Sequence, residues 1–486
     1  MINRKQTTII ISCLLPVLAF SAPKKTLVLS LRDAVYLSLR NNPSVITAEN
    51  DRITQKISLL LAEYNFQPQY KLDGSAEASQ GRSDGVYTPP TPSYSVSPSA
   101  TLNNHYGTQF SLSMDNNYES GVYNPGVTFQ IVQPLIRGFG KPIVDIALED
   151  AVDTEYTNKL QFKETAMQTI TTVLNDYFSL MEAKQSLEIS YESLKQNKQT
   201  VANDEEMIKA GRMAGADIVQ AKAQVATTMS TIESNKNTVE SARAKLLDDL
   251  GLPENTPIDV PTSFSYPATV KQLIGKGHIP SMKKSIDMGL QNNTNYQVAR
   301  IAIGSLRRSV LQAVNNNEWQ LNLTASTTRG GGSGAGANAN LVSLVNSQNY
   351  NNSVKLDLDI PVDNFQNKAD IVNAKVSLQD ALINLAETRR SLIESIKTDY
   401  DNLKTSETQV ELSRQAMQLQ QQTYDLNRQK FLAGKISNFE LLTQQQDLTT
   451  AKTNLISSQI AYLNAVAAFE QQIGVTLAPW HVRVRY

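Results

Sequence analysis

The chain has 486 residues, 19% of them charged, with a formal net charge of −1 at pH 7 and a single cysteine, Cys13. So even a charge balance gives no electrostatic ground for nucleic acid as a partner. One cysteine supports no disulfide framework, and the length is compatible with about three domains.

Residues 1–21 read as a secretory signal peptide. Arg4 and Lys5 precede an apolar run from Thr7 to Phe20, which exits through the small residues Ser21 and Ala22. The run is shorter than the roughly 20 residues of a spanning helix. Cleavage after Ser21 leaves a mature chain without a thiol. Ile10-Ile11-Ser12-Cys13 faintly resembles a lipoprotein box, so lipidation of Cys13 stays open, although most of the apolar core follows it. No later window is apolar enough for a spanning helix. The expectation is a soluble periplasmic or secreted protein, or an outer-membrane β-barrel.

Residues 22–66 are expected to hold N-terminal helices, and in 67–134 the period changes to two. Tyr70, Leu72, Gly74 and Ala76 alternate with Lys71, Asp73, Ser75 and Glu77, and Val127, Phe129 and Ile131 alternate with Thr128 and Gln130. Such strands have one apolar and one polar face. Two further alternating runs, 94–102 and 108–115, either extend these strands or form an extra hairpin. The proline-rich stretch 81–92 reads as an exposed loop.

Residues 135–251 are expected to form a long helical hairpin. Val173, Leu180, Leu187, Leu194, Val201 and Ile208 stand seven apart, and after Gly211 so do Ile218, Val225, Ile232, Val239 and Leu246. Heptads sustained this long mean helices packed as coiled coils. Arg137-Gly138-Phe139-Gly140-Lys141 lacks the spacing of a phosphate loop and reads as a strand-to-helix joint.

An equatorial linker is expected over 252–281, after which the parts recur. Helices are expected in 282–316, strands and a Gly/Ala/Asn-rich loop in 317–361, a second long hairpin in 362–474 and a tail in 475–486. Shifted by 223 residues, Asp176-Tyr177 falls on Asp399-Tyr400, Gly211 on Gly434, and Leu250-Gly251 on Ile473-Gly474. Ile396, Leu403, Val410, Met417, Tyr424 and Phe431 repeat the heptads, and Val354, Leu356 and Leu358 alternate with Lys355, Asp357 and Asp359. The charged positions Lys71, Asp73, Glu77, Lys355, Asp357 and Asp359 are the candidate lining of a barrel lumen.

The fold class is therefore mainly α with a β-barrel portion: duplicated long helical hairpins packed as coiled coils, which the family resemblance given below places in a tunnel, plus about four transmembrane strands per chain. Four strands cannot close a membrane barrel, for which about eight is the floor, and an open edge is not tolerated in lipid. Copies of the chain must share one barrel. Three copies would supply twelve strands.

In this order of parts the chain resembles the TolC-like outer-membrane efflux proteins. The resemblance rests on the duplicated order helix, strand, strand, long helix, glycine turn, helix. It rests also on Asn41-Asn42-Pro43, on Gln133-Pro134-Leu135 with its counterpart Ile360-Pro361-Val362, and on Phe431 three residues before Gly434. It implies a homotrimer in the outer membrane of a Gram-negative bacterium, with a long periplasmic portion and contact with outer-membrane lipid. The implied partners are a periplasmic adaptor (membrane fusion) protein and an inner-membrane pump of RND, ABC or MFS type. The implied function is the passive exit duct of tripartite efflux or type I secretion, with no cofactor. Cargo and gate state stay open.

The resemblance also implies a gate at the hairpin tips, where the turns are Gly211 and Gly434. Glu440 falls on an acidic-ring position and Asp217 on its first-copy counterpart, while a plain reading makes both simple acids of a helix N-terminus. Phe431 stands where a tyrosine would join a polar network, Ile436 where an arginine would help, and Thr443 replaces a second acid. Lys435 and Arg212 are candidates for the missing cation.

The three histidines lie far apart with no ligand spacing, and no triad or carboxylate pair points to an enzyme. A secreted coiled-coil structural protein or adhesin would explain the heptads but not the alternating strands.

Overall fold

The structure is a computed structural model that describes residues 27–119, 122–216, 218–262, 265–274, 279–330 and 350–482. The expected signal peptide, with Cys13, lies outside the described residues, as do Asp217 and residues 331–349.

The chain opens with strand β1 (Leu27–Val28) and helices α1 (Leu31–Asn41) and α2 (Pro43–Tyr64). Ser30 and Asp33 cap α1 reciprocally, and Asn42 caps α2 with Pro43 in its first turn, where a missing N–H costs nothing. Strands β2 (Gln69–Ser83), β3 (Val86–Asn103), β4 (Gln109–Glu119) and β5 (Val122–Pro134) follow. A short helix α3 (Lys141–Val144) leads into α4 (Ile146–Lys209), which pairs with α5 (Ile218–Asp249). At about 1.5 Å per residue the 64 residues of α4 span nearly 100 Å.

Strand β6 (Ile258–Asp259) pairs in parallel with β1, and helices α6 (Tyr266–Ile274), α7 (Met282–Asn292) and α8 (Thr294–Asn316) follow. Strands β7 (Gln320–Gly330) and β8 (Tyr350–Asp359) precede the 68-residue helix α9 (Phe365–Leu432), which pairs with α10 (Asn438–Gln472).

The main core lies where α1, the middle of α4, the end of α5 and the end of α10 meet. Met167, Ile170, Phe178, Leu246, Leu463 and Ile473 are buried there. Within this core Tyr177 donates to the carbonyl of Leu29 at 2.9 Å. The shorter helices are pinned to α4 by charge. Arg52 of α2 makes two bonds to Glu155, at 2.9 and 2.6 Å, and the hydrogen bond from Arg52 holds that carboxyl below its ordinary range. Arg308 of α8 reaches Asp150 at 2.8 Å and also bonds Asp153.

One antiparallel sheet runs β2-β3-β4-β5-β7-β8. Among the described residues this sheet has six strands, two more than the four counted from the clear alternating runs. The runs at 94–102 and 108–115 are the bodies of β3 and β4, and 81–92 is no loop but two strand ends around a turn at Asp84-Gly85. The prolines at 89, 90 and 92 lie beyond Ser93, where β3 pairs with β2 alone, so their missing N–H groups break no ladder with β4.

All four long helices of the two pairs stop in the same way. Gly211 at φ +69° ends α4, with Arg212 N–H on Met207 O at 2.8 Å and Gly211 N–H on Ile208 O at 2.9 Å. Gly434, Gly251 and Gly474 repeat both bonds at positive φ. Only a residue that tolerates the left-handed region closes this motif without strain.

Candidate functional site

At the end of the α9/α10 pair, Ser437 caps α10 and its side chain accepts from the N–H of Glu440 at 3.2 Å. Glu440 is exposed in the first turn, where the helix dipole favours an acid. Lys435, Thr443 and Arg212 are exposed as well, and the Thr443 hydroxyl donates to the carbonyl of Phe439 at 2.9 Å. Phe431 instead points inward. It is buried with Tyr424, Leu441 and Leu448, and Met207 and Ile436 pack against them. Met207 belongs to the other pair, so this cluster holds the two tips side by side.

Below that cluster the two pairs are joined by polar rungs that the apolar heptads do not reveal. Asn438 Nδ2 donates to Asp204 Oδ2 at 2.8 Å. One heptad on, Gln445 Nε2 donates to Asn197 Oδ1 at 2.8 Å, and Asn197 Nδ2 donates to Thr228 Oγ1 of α5 at 2.8 Å. A heptad further along α5, Asn235 Nδ2 donates to Ser190 Oγ at 2.8 Å, while Lys452 of α10 meets Glu192 at 2.8 Å. Ser190, Asn197 and Asp204 stand seven apart on α4, as do Asn438, Gln445 and Lys452 on α10. Each lies three residues from a member of the apolar stripe, and that spacing was the signal available in the sequence. Polar residues at such positions set register between helices.

Farther from the tips, Lys245 Nζ lies 2.7 Å from Asp176 Oδ1, with Asp176 buried. A hydrogen bond with Asp176, then burial, then repulsion from Asp176 push the Asp249 carboxyl up to about 7.

In the sheet the six charged lumen candidates occupy alternate positions of its two outermost strands, β2 and β8. Lys71 and Asp73 pair at 2.8 Å, and Lys355 pairs with Asp357. Their cross-strand neighbours are polar too: Ser99 opposite Lys71, Ser97 opposite Asp73, Ser93 opposite Glu77, Asn322 opposite Asp357. The other face carries Leu72, Val354 and Leu356, exposed at 71%, 78% and 61%. Among the described residues no helix is long and apolar enough to cross a membrane, and no cluster of side chains could hold a metal ion.

Comparison with known proteins agrees with this geometry. Residues 285–475 match the family model described as outer membrane efflux protein. The fold is similar to that of CusC, whose structures concern folding and transmembrane channel formation, at a TM-score of 0.69 and 15% identity over 94% of this chain and 95% of that one. It is similar to the open state of the MtrE outer membrane channel of Neisseria gonorrhoeae, at 0.67 and 16% over 92% and 89%. It is similar also to the outer membrane protein VceC of Vibrio cholerae, at 0.65 and 13% over 91% and 96%. No curated protein sequence matches the chain.

Proposed function

We propose that this chain, a TolC-like outer membrane efflux protein by its segment 285–475 and its fold, is the outer-membrane exit duct of a tripartite efflux or type I secretion system. Proteins of this family are channels, not enzymes. Three copies form one passive channel-tunnel, its barrel in the outer membrane and its helical tips in the periplasm of a Gram-negative cell. The tips meet a periplasmic adaptor and, through it, an inner-membrane pump that chooses the cargo.

One observation carries the reading. A sheet with an exposed apolar face and a charged face is joined in one chain to helices nearly 100 Å long. An apolar-out, polar-in sheet fits lipid outside and water inside. Sharing among copies is supported by α9, where Leu412, Leu419 and Leu426 form a heptad stripe that this chain leaves exposed. Such a stripe needs a facing helix, and a neighbouring copy supplies one.

Gating at the tips rests on Glu440, exposed beside the turn, with Lys435 of the same turn and Arg212 of the other tip the candidate cations and Thr443 one turn further on. The test is reconstitution of protein from outer membranes into planar bilayers. Discrete cation-preferring conductance is expected, and Glu440→Gln should reduce the cation preference severalfold. No conductance would contradict the duct; unchanged selectivity in Glu440→Gln would remove Glu440 from the constriction.

A further inference from the structure

The hairpin of β3 and β4 belongs to the sheet as fully as the strands on either side of it. One row of cross-strand partners runs through Gln69, Thr101, Ser111, Gln130, Ser326 and Ser353, one residue from each of the six strands. All six are polar. One step along the strands, on the opposite face, Leu102, Phe110, Ile131, Ala325 and Val354 form an apolar row. Toward the far end Tyr94, Tyr118 and Tyr123 are partners, with the rings of Tyr94 and Tyr118 6.3 Å apart. From Phe110 to Tyr118 is about 27 Å along β4 at 3.4 Å per residue. With Leu112 and Met114 on the same face, and Asn116 there satisfied by Val96 O and the Tyr123 hydroxyl, this span is close to the apolar band of roughly 25 Å, edged by aromatic residues, of a membrane barrel.

The turn between β3 and β4 is fastened to the rest of the chain. His105 Nδ1 lies 2.6 Å from Asp145 Oδ1 at the start of α4, and its ring stacks on Phe66 at 4.2 Å. The N–H of Gly140 donates to the carbonyl of Tyr106 at 3.3 Å. Gly107, at φ +88°, sits so close to the strand-to-helix joint that a Cβ there would stand 2.4 Å from the carbonyl oxygen of Gly138. A hairpin seated this way is part of the wall.

Resting on the proposed duct, we infer that each chain supplies six strands and that the barrel has eighteen, closed by pairing β8 of one copy with β2 of the next. These two strands are the sheet's outer edges, and their free N–H and C=O groups must be paired in lipid. Six is even, so β8 and β2 run in opposite directions and the antiparallel order continues across the seam. Both carry charges on one face and apolar residues on the other, so both faces continue too. Barrel diameter grows roughly linearly with strand number, so this wall is about 1.5-fold wider than one of twelve strands.

The test uses single and paired cysteines in the full chain in outer membranes, probed with a membrane-impermeant maleimide and by oxidative cross-linking. Ser99→Cys and Ser113→Cys should label in membranes, while Ala100→Cys and Leu112→Cys should label only after denaturation. Equal labelling of all four would overturn the proposal, because the hairpin would then lie outside the wall. Ser75→Cys combined in turn with Asn351→Cys, Ser353→Cys and Lys355→Cys should yield at least one cross-link between subunits. A cross-link of Ser75→Cys with Thr128→Cys would bring β2 against β5 and overturn it, as would a trimer with no β2–β8 link. A monomeric protein with no β2–β8 link would instead overturn the shared duct itself.

Discussion

Lys245 Nζ sits 2.7 Å from Asp176 Oδ1, and interaction with the Asp176 carboxylate together with burial pushes the Asp249 carboxyl up to about 7. A carboxyl beside a buried carboxylate keeps its proton to higher pH than a solvated one. The sign follows from comparing the two states. Asp249 titrates near 7 when folded, against roughly 3.9 for an unperturbed aspartate. The folded state therefore holds a proton that the unfolded state has lost, and stability falls as pH rises from about 4 through about 7. Lowering the pH from 7.5 to 5.5 should raise the melting temperature of the helical part. Asp249→Asn should flatten that dependence; an unchanged slope would show that another group carries it. The polar rungs make a second prediction. Asn438→Ala removes a buried donor from Asp204 and should cost about 1–3 kcal/mol in denaturant unfolding. It should also raise conductance in bilayers, since this rung ties the two tips together. Lower conductance would contradict that role. At this scale the sequence was only partly legible. Glu440 and the tip glycines stood out by their place beside a turn. Asn197, Asp204 and Gln445 did not, because a lone polar residue on a long helix reads as solvated until its partner helix is known. Phe431, which stands where the resemblance puts a network tyrosine, packs in the apolar cluster between the tips.

Helix ends give the sharpest predictions among the elements. At Gly251 an added Cβ would stand 2.1 Å from the carbonyl oxygen of Asn41, and at Gly474 2.6 Å from that of Asn292. At Gly211 and Gly434 it would meet open space. Alanine at the two tip glycines should cost about 1–2 kcal/mol, from the left-handed backbone alone. Alanine at Gly251 or Gly474 should cost clearly more, because backbone must move as well. Thermal melts followed by circular dichroism check this order; equal losses at all four positions would contradict it. The Asn pairs explain why those two turns are so tight. Asn42 Nδ2 donates to the carbonyl of Asp249 at 2.7 Å, and Asn293 Nδ2 to that of Gln472 at 3.2 Å. The heptads made the long helices legible, since apolar residues seven apart have few other uses. The strands of the first half were harder. Prolines at 89, 90 and 92 argue against a strand locally, and Pro98 interrupts the alternating run 94–102. They are tolerated because three lie where β3 has only one neighbour, and the ladder to β4 leaves Pro98 unbridged between Val96 and Ser99.

For the whole molecule, a sheet with two open edges, an exposed apolar face and an exposed heptad stripe on α9 is an incomplete object. Each of these surfaces is costly in lipid or water and cheap against another copy of the same chain. That incompleteness was visible in the sequence as a strand count too small to close a barrel. The count itself was not, because pairing partners lie far apart in the chain, as with β5 and β7. The most direct measurement is the native mass of the protein extracted from outer membranes in mild detergent. The expected value is close to three chain masses, the chain being 53.6 kDa before any leader is removed. A monomer would contradict the shared barrel, since no six-stranded open sheet can satisfy its edges in a bilayer.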